Sequence, residues 1–154
     1  LVVHPRDGEL VIGTHGRSAF VLDALPLRAL TDEVARWPLH LFAPRPAVAP
    51  HRDGTDGAYR TGASQGEASI TWWQAGEATA TVEIVDAAGE TVWRSEQPGH
   101  PGLNVARWDL LPLGQERPVG SFGRYPQYAA PGTYTVRVVA DGGEVSTRLV
   151  VLAP

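Results

Sequence analysis

The stretch IGTHGRSAFVLD brings His15, Arg17 and Asp23 close together in sequence. An imidazole, a guanidinium and a carboxylate at such spacing could hold an anion or pass a proton. Gly13 and Gly16 flank the pair His15 and Arg17, and glycine is the residue that enters positive φ freely. The same four residues therefore also read as a turn between two strands, with both polar side chains bonded to carbonyls or to neighbouring structure. A clamp on a substrate carboxylate draws on several guanidinium groups, and one arginine cannot supply it. His15 and Arg17 are accordingly expected to mark a turn.

Other candidate chemistries fail on spacing. His4, His15, His40, His51 and His100 show no i, i+4 pairing and no H-E-x-x-H pattern. Asp53 and Asp56 in RDGTDG lack the D-x-D-x-D-G spacing of a calcium loop. Ser18, Ser64, Ser69, Ser95, Ser121 and Ser146 stand in no G-x-S-x-G context, and there is no cysteine. The glycines of GSFG and DGTDG do not lie between a strand and a helix, where a phosphate cradle would need them. No catalytic residue, no metal site and no cofactor is expected. The remaining candidates are aromatic. Trp72 and Trp108 fall on apolar faces and read as core. Trp73 and Trp93 fall on the opposite phase, toward solvent, and Phe122, Tyr125 and Tyr128 lie in the loop SFGRYPQYAAPG. Exposed rings of this kind stack on sugars, so Trp73, Trp93, Phe122, Tyr125 and Tyr128 form a candidate ligand-binding set. The competing reading is that they pack the loop or pin one domain on another.

The net charge of −4, with 19% charged residues, argues against a nucleic-acid partner. No apolar run approaches the roughly 20 residues of a membrane span, so no membrane insertion is expected. The chain begins at Leu1 and contains no Met, from which a fragment or a processed product is expected.

The elements that must carry these residues are strands. Seventeen glycines and 13 prolines punctuate segments rich in Val, Thr and Trp. Residues 1–23 read as three short strands, apolar on both faces and hence expected to be buried on both sides. A short helix is expected after Thr31, with Asp32 and Glu33 in its first turn and Pro38 as its stop. LHLF reads as a short extended segment, and residues 43–67 as a Pro-rich, then Gly-rich linker. From Ala68 onward six strands alternate cleanly, for example TATVEIVD and TYTVRVVA, with turns at AAGE, PGHPG and DGG. The expected fold class is all-β: an immunoglobulin-like β-sandwich, lacking the Cys…Trp…Cys spacing of antibody domains. Residues 111–132 form a long Pro- and Gly-rich connection.

Two segments resemble known families. Asp86 and Gly89 of a D-x-x-G turn, Pro101, Gly102, Asn104, Trp108 and Asp109 of a PG-x-N…W-D strand, and the strand PGTYTVR from Pro131 to Arg137 resemble the immunoglobulin-like domain of flagellar hook-capping (FlgD-like) proteins. The segment VVHPRDGELVIGTHGRSAFVLDALPLRAL resembles the last blade of BNR/Asp-box β-propellers, the group of sialidase-like, sortilin-like and xyloglucanase-like proteins. The S-x-D-x-G-x-x-W of a true Asp-box is absent, so this resemblance implies blade position and no functional residue. Together they imply residues 1–23 as a partial last propeller blade, 24–66 as a linker with a short helix, and 67–154 as the FlgD-like sandwich. The implied partners are the remaining blades of the parent, and the implied location is extracellular or periplasmic. The implied function is a non-catalytic accessory domain. A carbohydrate- or protein-binding module is the alternative, and a part of a glycoside hydrolase site a third reading.

Overall fold

The computed structural model describes residues 1–4, 8–16, 18–49, 66–115 and 127–153. It is all-β apart from two short helical turns, and it forms two compact units, Leu1–Arg36 and Trp37–Pro154.

The first unit is an antiparallel meander of β1 (Val2–Val3), β2 (Glu9–Thr14) and β3 (Ser18–Asp23). Its register aligns Val2, Val11 and Val21 on one face, and Val3, Leu10 and Leu22 with Ile12 and Phe20 on the other. Among the described residues of Leu1–Arg36 the expected burial on both sides is not met. Phe20, Val21 and Leu22 are 54%, 56% and 48% exposed. A three-stranded sheet has two faces, and the described residues of Leu1–Arg36 bury neither.

The helix also falls elsewhere than expected. The α-helix α1 spans Leu25–Ala29, ahead of Thr31. Asp23 Oδ1 accepts the Leu25 N–H at 3.0 Å, and Pro26 supplies a preset φ in the first turn. Thr31 caps only a 3-10 turn, Val34–Arg36, its Oγ1 accepting the Val34 N–H at 3.3 Å. Gly8, at φ +65°, lies against the helix start; a Cβ there would sit 2.6 Å from Leu25 Cδ2.

The second unit is a β-sandwich. One sheet has the order β4-β6-β9, from β4 (Leu39–Leu41), β6 (Ala68–Gln74) and β9 (Gly102–Trp108). The other has the order β5-β11-β10-β7-β8, from β5 (Ala47–Val48), β7 (Ala78–Val85), β8 (Thr91–Gly99), β10 (Gly132–Ala140) and β11 (Gly143–Leu152). β5 runs parallel to β11, and every other pair is antiparallel. The sandwich therefore takes its first two strands from the stretch read as linker. Residues 39–41 and 47–48 are too short to show a period, and it is pairing with β6 and β11 that makes them strands.

Alternation fills the core. Ile70, Trp72, Ala80, Val82, Ile84, Ala106, Trp108, Val136, Val138, Leu149 and Val151 point between the sheets and are buried. Each burial of a large apolar side chain is worth about 1.5–3 kcal/mol. The sequence motifs turn out to be staples of this frame. Asp86 Oδ1 accepts the N–H groups of Ala88 and Glu90, closing the β7–β8 turn with Gly89 at φ +88°. Asn104 accepts the His100 N–H and donates to the carbonyls of His100 and Gly102, which locks the β8–β9 turn. Tyr134, near the start of β10, donates its hydroxyl to the Ala130 carbonyl at 2.7 Å, a tyrosine corner of the kind that marks immunoglobulin-like sandwiches. Asp141 and Gly142 both take positive φ, as a tight two-residue hairpin between β10 and β11 requires.

Gln74 is a buried amide with all its partners close by. Its Oε1 accepts the Trp72 Nε1–H at 2.9 Å, and its Nε2 donates to the carbonyls of Gly76 and Ala78. Gly99 leaves room for it, since a Cβ there would lie 2.3 Å from Gln74 Oε1 and 2.7 Å from the Ala78 oxygen. Gly99→Ala is expected to lower stability by about 1–3 kcal/mol through overpacking, read by urea unfolding. Tyr134→Phe, which removes one hydrogen bond and keeps the ring against Trp108, is expected to cost about 1 kcal/mol in the same assay.

Candidate functional site

His15 sits in the β2–β3 turn, exposed, beside Gly16 at φ +83°. The turn is closed by Thr14, whose Oγ1 donates to the Ser18 carbonyl at 3.0 Å. Arg17, Phe122 and Tyr125 lie outside the described residues, as do Asp53 and Asp56. Among the described residues no group of three His, Asp or Glu side chains is placed to hold a metal ion.

The structure does not bring the two candidate tryptophans together. Trp73 is on β6, opposite Leu103 of β9 and His40 of β4, on the outer face of the short sheet. Trp93 is on β8 of the other sheet, opposite the fully buried Ile84, and so faces inward. Its expected phase toward solvent is reversed by a β-bulge at Ile84 and Val85, where Val85 pairs with Thr91 and Ile84 already with Trp93. The extra residue shifts every later side chain to the other face. Tyr128 packs half-buried against the core.

What the fold does assemble is a different aromatic cluster. Trp73 donates its Nε1–H to the Trp37 carbonyl at 3.1 Å. The His40 ring lies 5.2 Å from Trp37 and 4.7 Å from Phe42, edge-on to the latter. Phe42 is buried, Trp37 is 42% exposed, and Leu103 and Val105 continue the apolar surface across β9. Sequence alternation places His40 and Phe42 on one face of LHLF. It gives no sign that this face meets Trp73, because the register of a three-residue strand is fixed by its neighbour. Burial in this cluster pushes the His40 pKa below its usual 6.5.

The outer face of the long sheet has the opposite character. Glu83, nearly buried there, accepts hydrogen bonds from Arg94 Nη1 at 3.3 Å and from Arg137 Nε at 3.0 Å, with Arg137 Nη2 also on Glu83 Oε2. Arg94 also reaches Glu96 at 2.8 Å, and Arg137 reaches Glu144 at 3.7 Å. Charge alternates strictly along this row, and the Glu83 carboxylate holds the Arg137 guanidinium more firmly protonated. One sheet thus shows water a charged, threonine-bordered face, and the other an aromatic one.

No family model matches the chain, and no curated protein matches it. Among solved structures it is similar to the dimeric latent PorU of Porphyromonas gingivalis, at 19% identity and a TM-score of 0.44, over 75% of this chain and 9% of that one. It is also similar to CopC from Methylosinus trichosporium OB3b, at 15% identity and a TM-score of 0.36, over 74% of this chain and 95% of that one. The chain spans less than a tenth of the PorU chain.

The His40 environment has a pH signature. Because its folded-state pKa is lowered, the unfolded chain takes up the proton first. The contribution of neutral His40 to stability is complete above pH 6.5 and is lost as pH falls through the lowered folded-state value. The unmodified chain is expected to lose stability relative to His40→Phe between pH 7 and pH 5 in urea unfolding. Parallel pH profiles for the two proteins would contradict this.

Proposed function

We propose that this chain is a non-catalytic accessory portion of a larger, secreted β-propeller protein. In this reading β1, β2 and β3 are strands of its last blade. The segment through α1 is the connection, and the sandwich from Trp37 onward packs against the propeller or holds a partner. Chemistry performed by the parent belongs to the other blades, since propellers build ligand sites around a central channel from many blades.

One observation carries the reading. The sandwich has a full core of its own, whereas the meander is apolar on both faces and exposes Val2, Val3, Phe20, Val21 and Leu22. So small a sheet is stable only when an apolar face is packed, and a sheet apolar on both faces is a middle layer that needs a layer above and below. Sheets packed face to face, about 10 Å apart, supply both. The resemblance of THGRSAF and its surroundings to a last blade names such an arrangement, and it also supplies the proposed location outside the cytoplasm. The alternative, a carbohydrate-binding module built on Trp73, Trp93, Phe122, Tyr125 and Tyr128, has Trp73 and Trp93 on different sheets.

An antibody raised against the sandwich, used on the producing cells and their medium, is expected to detect a polypeptide well above the 16.5 kDa of this chain. A monomeric product of 16.5 kDa would overturn the accessory reading. In the isolated chain, Phe20→Ser with Leu22→Ser is expected to abolish most binding of the dye ANS while leaving the unfolding midpoint of the sandwich unchanged.

A further inference from the structure

The two sheets of the sandwich differ in width. β4 lies against β11 and β6 against β10, and the inner residues of β7, Ala80, Val82 and Ile84, are fully buried. The edge strand β8 touches β9, but its inner row is covered less completely. Its register sets Gln97 opposite Ala80, Ser95 opposite Val82 and Trp93 opposite Ile84, and directly opposed residues of an antiparallel pair share a face. All three therefore look to the core side, yet they are only half-buried. Beside this half-covered floor runs β9, the outermost strand of the short sheet. Among the described residues no strand pairs with its free side, and no loop backbone bonds to it. Among the described residues an unpaired backbone edge thus borders an incompletely covered sheet face. One end of the step is closed by the β8–β9 turn that Asn104 locks. At the other, Trp93 meets Asp109 and residues 111–115 around a hollow of about 280 Å³.

We propose that this step is a docking site for an extended peptide of another polypeptide, which adds to β9 as a fourth strand of the short sheet. A row of unpaired N–H and C=O groups is matched by the backbone of another strand. β9 has seven residues, so the site takes a peptide of about that length, at roughly 3.4 Å per residue. The floor carries no charge: Gln97 Nε2 donates to Ser95 Oγ at 3.2 Å, and the Trp93 indole follows. The peptide face turned to it is accordingly uncharged, small or polar above Ser95 and Gln97. A bulky apolar side chain sits at the hollow, where Leu111, Pro112 and Leu113 join Trp93. The neighbouring edge, that of β8, is guarded. It bears Arg94, Glu96 and Pro98, and its Val92 carbonyl already accepts the Leu113 N–H at 2.7 Å. This site belongs to the sandwich alone and does not depend on the accessory reading.

A phage-displayed library of random twelve-residue peptides, selected against the full chain, tests the proposal. A synthetic copy of the enriched peptide is then followed by fluorescence anisotropy and amide hydrogen exchange. The expected winner is proline-free, alternates apolar residues, and protects those amides of residues 103–107 that do not already bond to β6. Its affinity falls at least tenfold in Ser95→Arg, which puts a charge on the floor, and in Trp93→Ala, which empties the hollow. It is unchanged in Thr79→Arg, on the outer face of the long sheet. Thermal unfolding of each variant shows that the sandwich is intact. No enrichment, protection on β3 or β8 instead of β9, or equal loss in Thr79→Arg would overturn the proposal. So would a dimer with β9 protected before any peptide is added, which would make a second copy the occupant.

Discussion

Two indole N–H groups sit inside a dry core, and much of the sandwich is arranged to give each an acceptor. An unpaired polar group at such a place costs about 1–3 kcal/mol, a sizeable share of what holds a domain together. Trp72 finds its partner in Gln74, two residues along the same strand. The amide of Gln74 must then satisfy its own hydrogens, which it does on Gly76 and Ala78 across the β6–β7 turn. That in turn forbids a side chain at position 99 on the next strand. Trp108 finds the Leu111 carbonyl at 2.9 Å. The chain turns back there through Leu110, a buried residue at φ +60°, a conformation costly for a residue with a Cβ. The cost is offset by the bond it permits, by the Asp109 Oδ1 that accepts the Leu111 N–H, and by the Ala129 N–H on the Leu110 carbonyl. Backbone that is irregular in sequence is thus tied to particular donors in the core.

The strands from Ala68 onward were legible because each is long enough to alternate and is bounded by residues with a turn chemistry of their own, Asp86 with Gly89 and Asp141 with Gly142 among them. β4 and β5 were not, because two or three residues hold no period and the prolines around them speak for a loop. α1 was displaced because Thr31 with Asp32 and Glu33 makes a textual N-terminus, while Asp23 and Pro26 make one that the chain reaches first. The phase of Trp93 was misread for a sharper reason. A single bulged residue reverses every later assignment on a strand, and nothing in TVWRS announces it. The Trp37, His40, Phe42 and Trp73 cluster was out of reach of pattern alone, since it depends on which residue of β4 stands opposite which residue of β6.

The two outer faces of the sandwich differ in chemical character. Across the long sheet, Glu96, Arg94, Glu83, Arg137 and Glu144 alternate in sign over four strands. Pairs this exposed add little stability one by one. Glu83 differs from the rest of the row. It is buried under two guanidinium groups, and removing either leaves a carboxylate poorly solvated. The short sheet has no such row. Its apolar surface and the bare edge of β9 lie on the same side of the molecule as the narrow half of the sandwich.

The stretch between β4 and β5 laces the two sheets, since one polypeptide strap pairs first with β6 and then, six residues later, with β11. Its last segment runs parallel to the final strand. Tension applied between the two ends of the sandwich therefore slides β5 along β11 instead of peeling it away, and the bonds joining them bear the load together. A module tethered at both ends in a moving or flowing environment would gain from that geometry a mechanical toughness that its short pairing would not suggest.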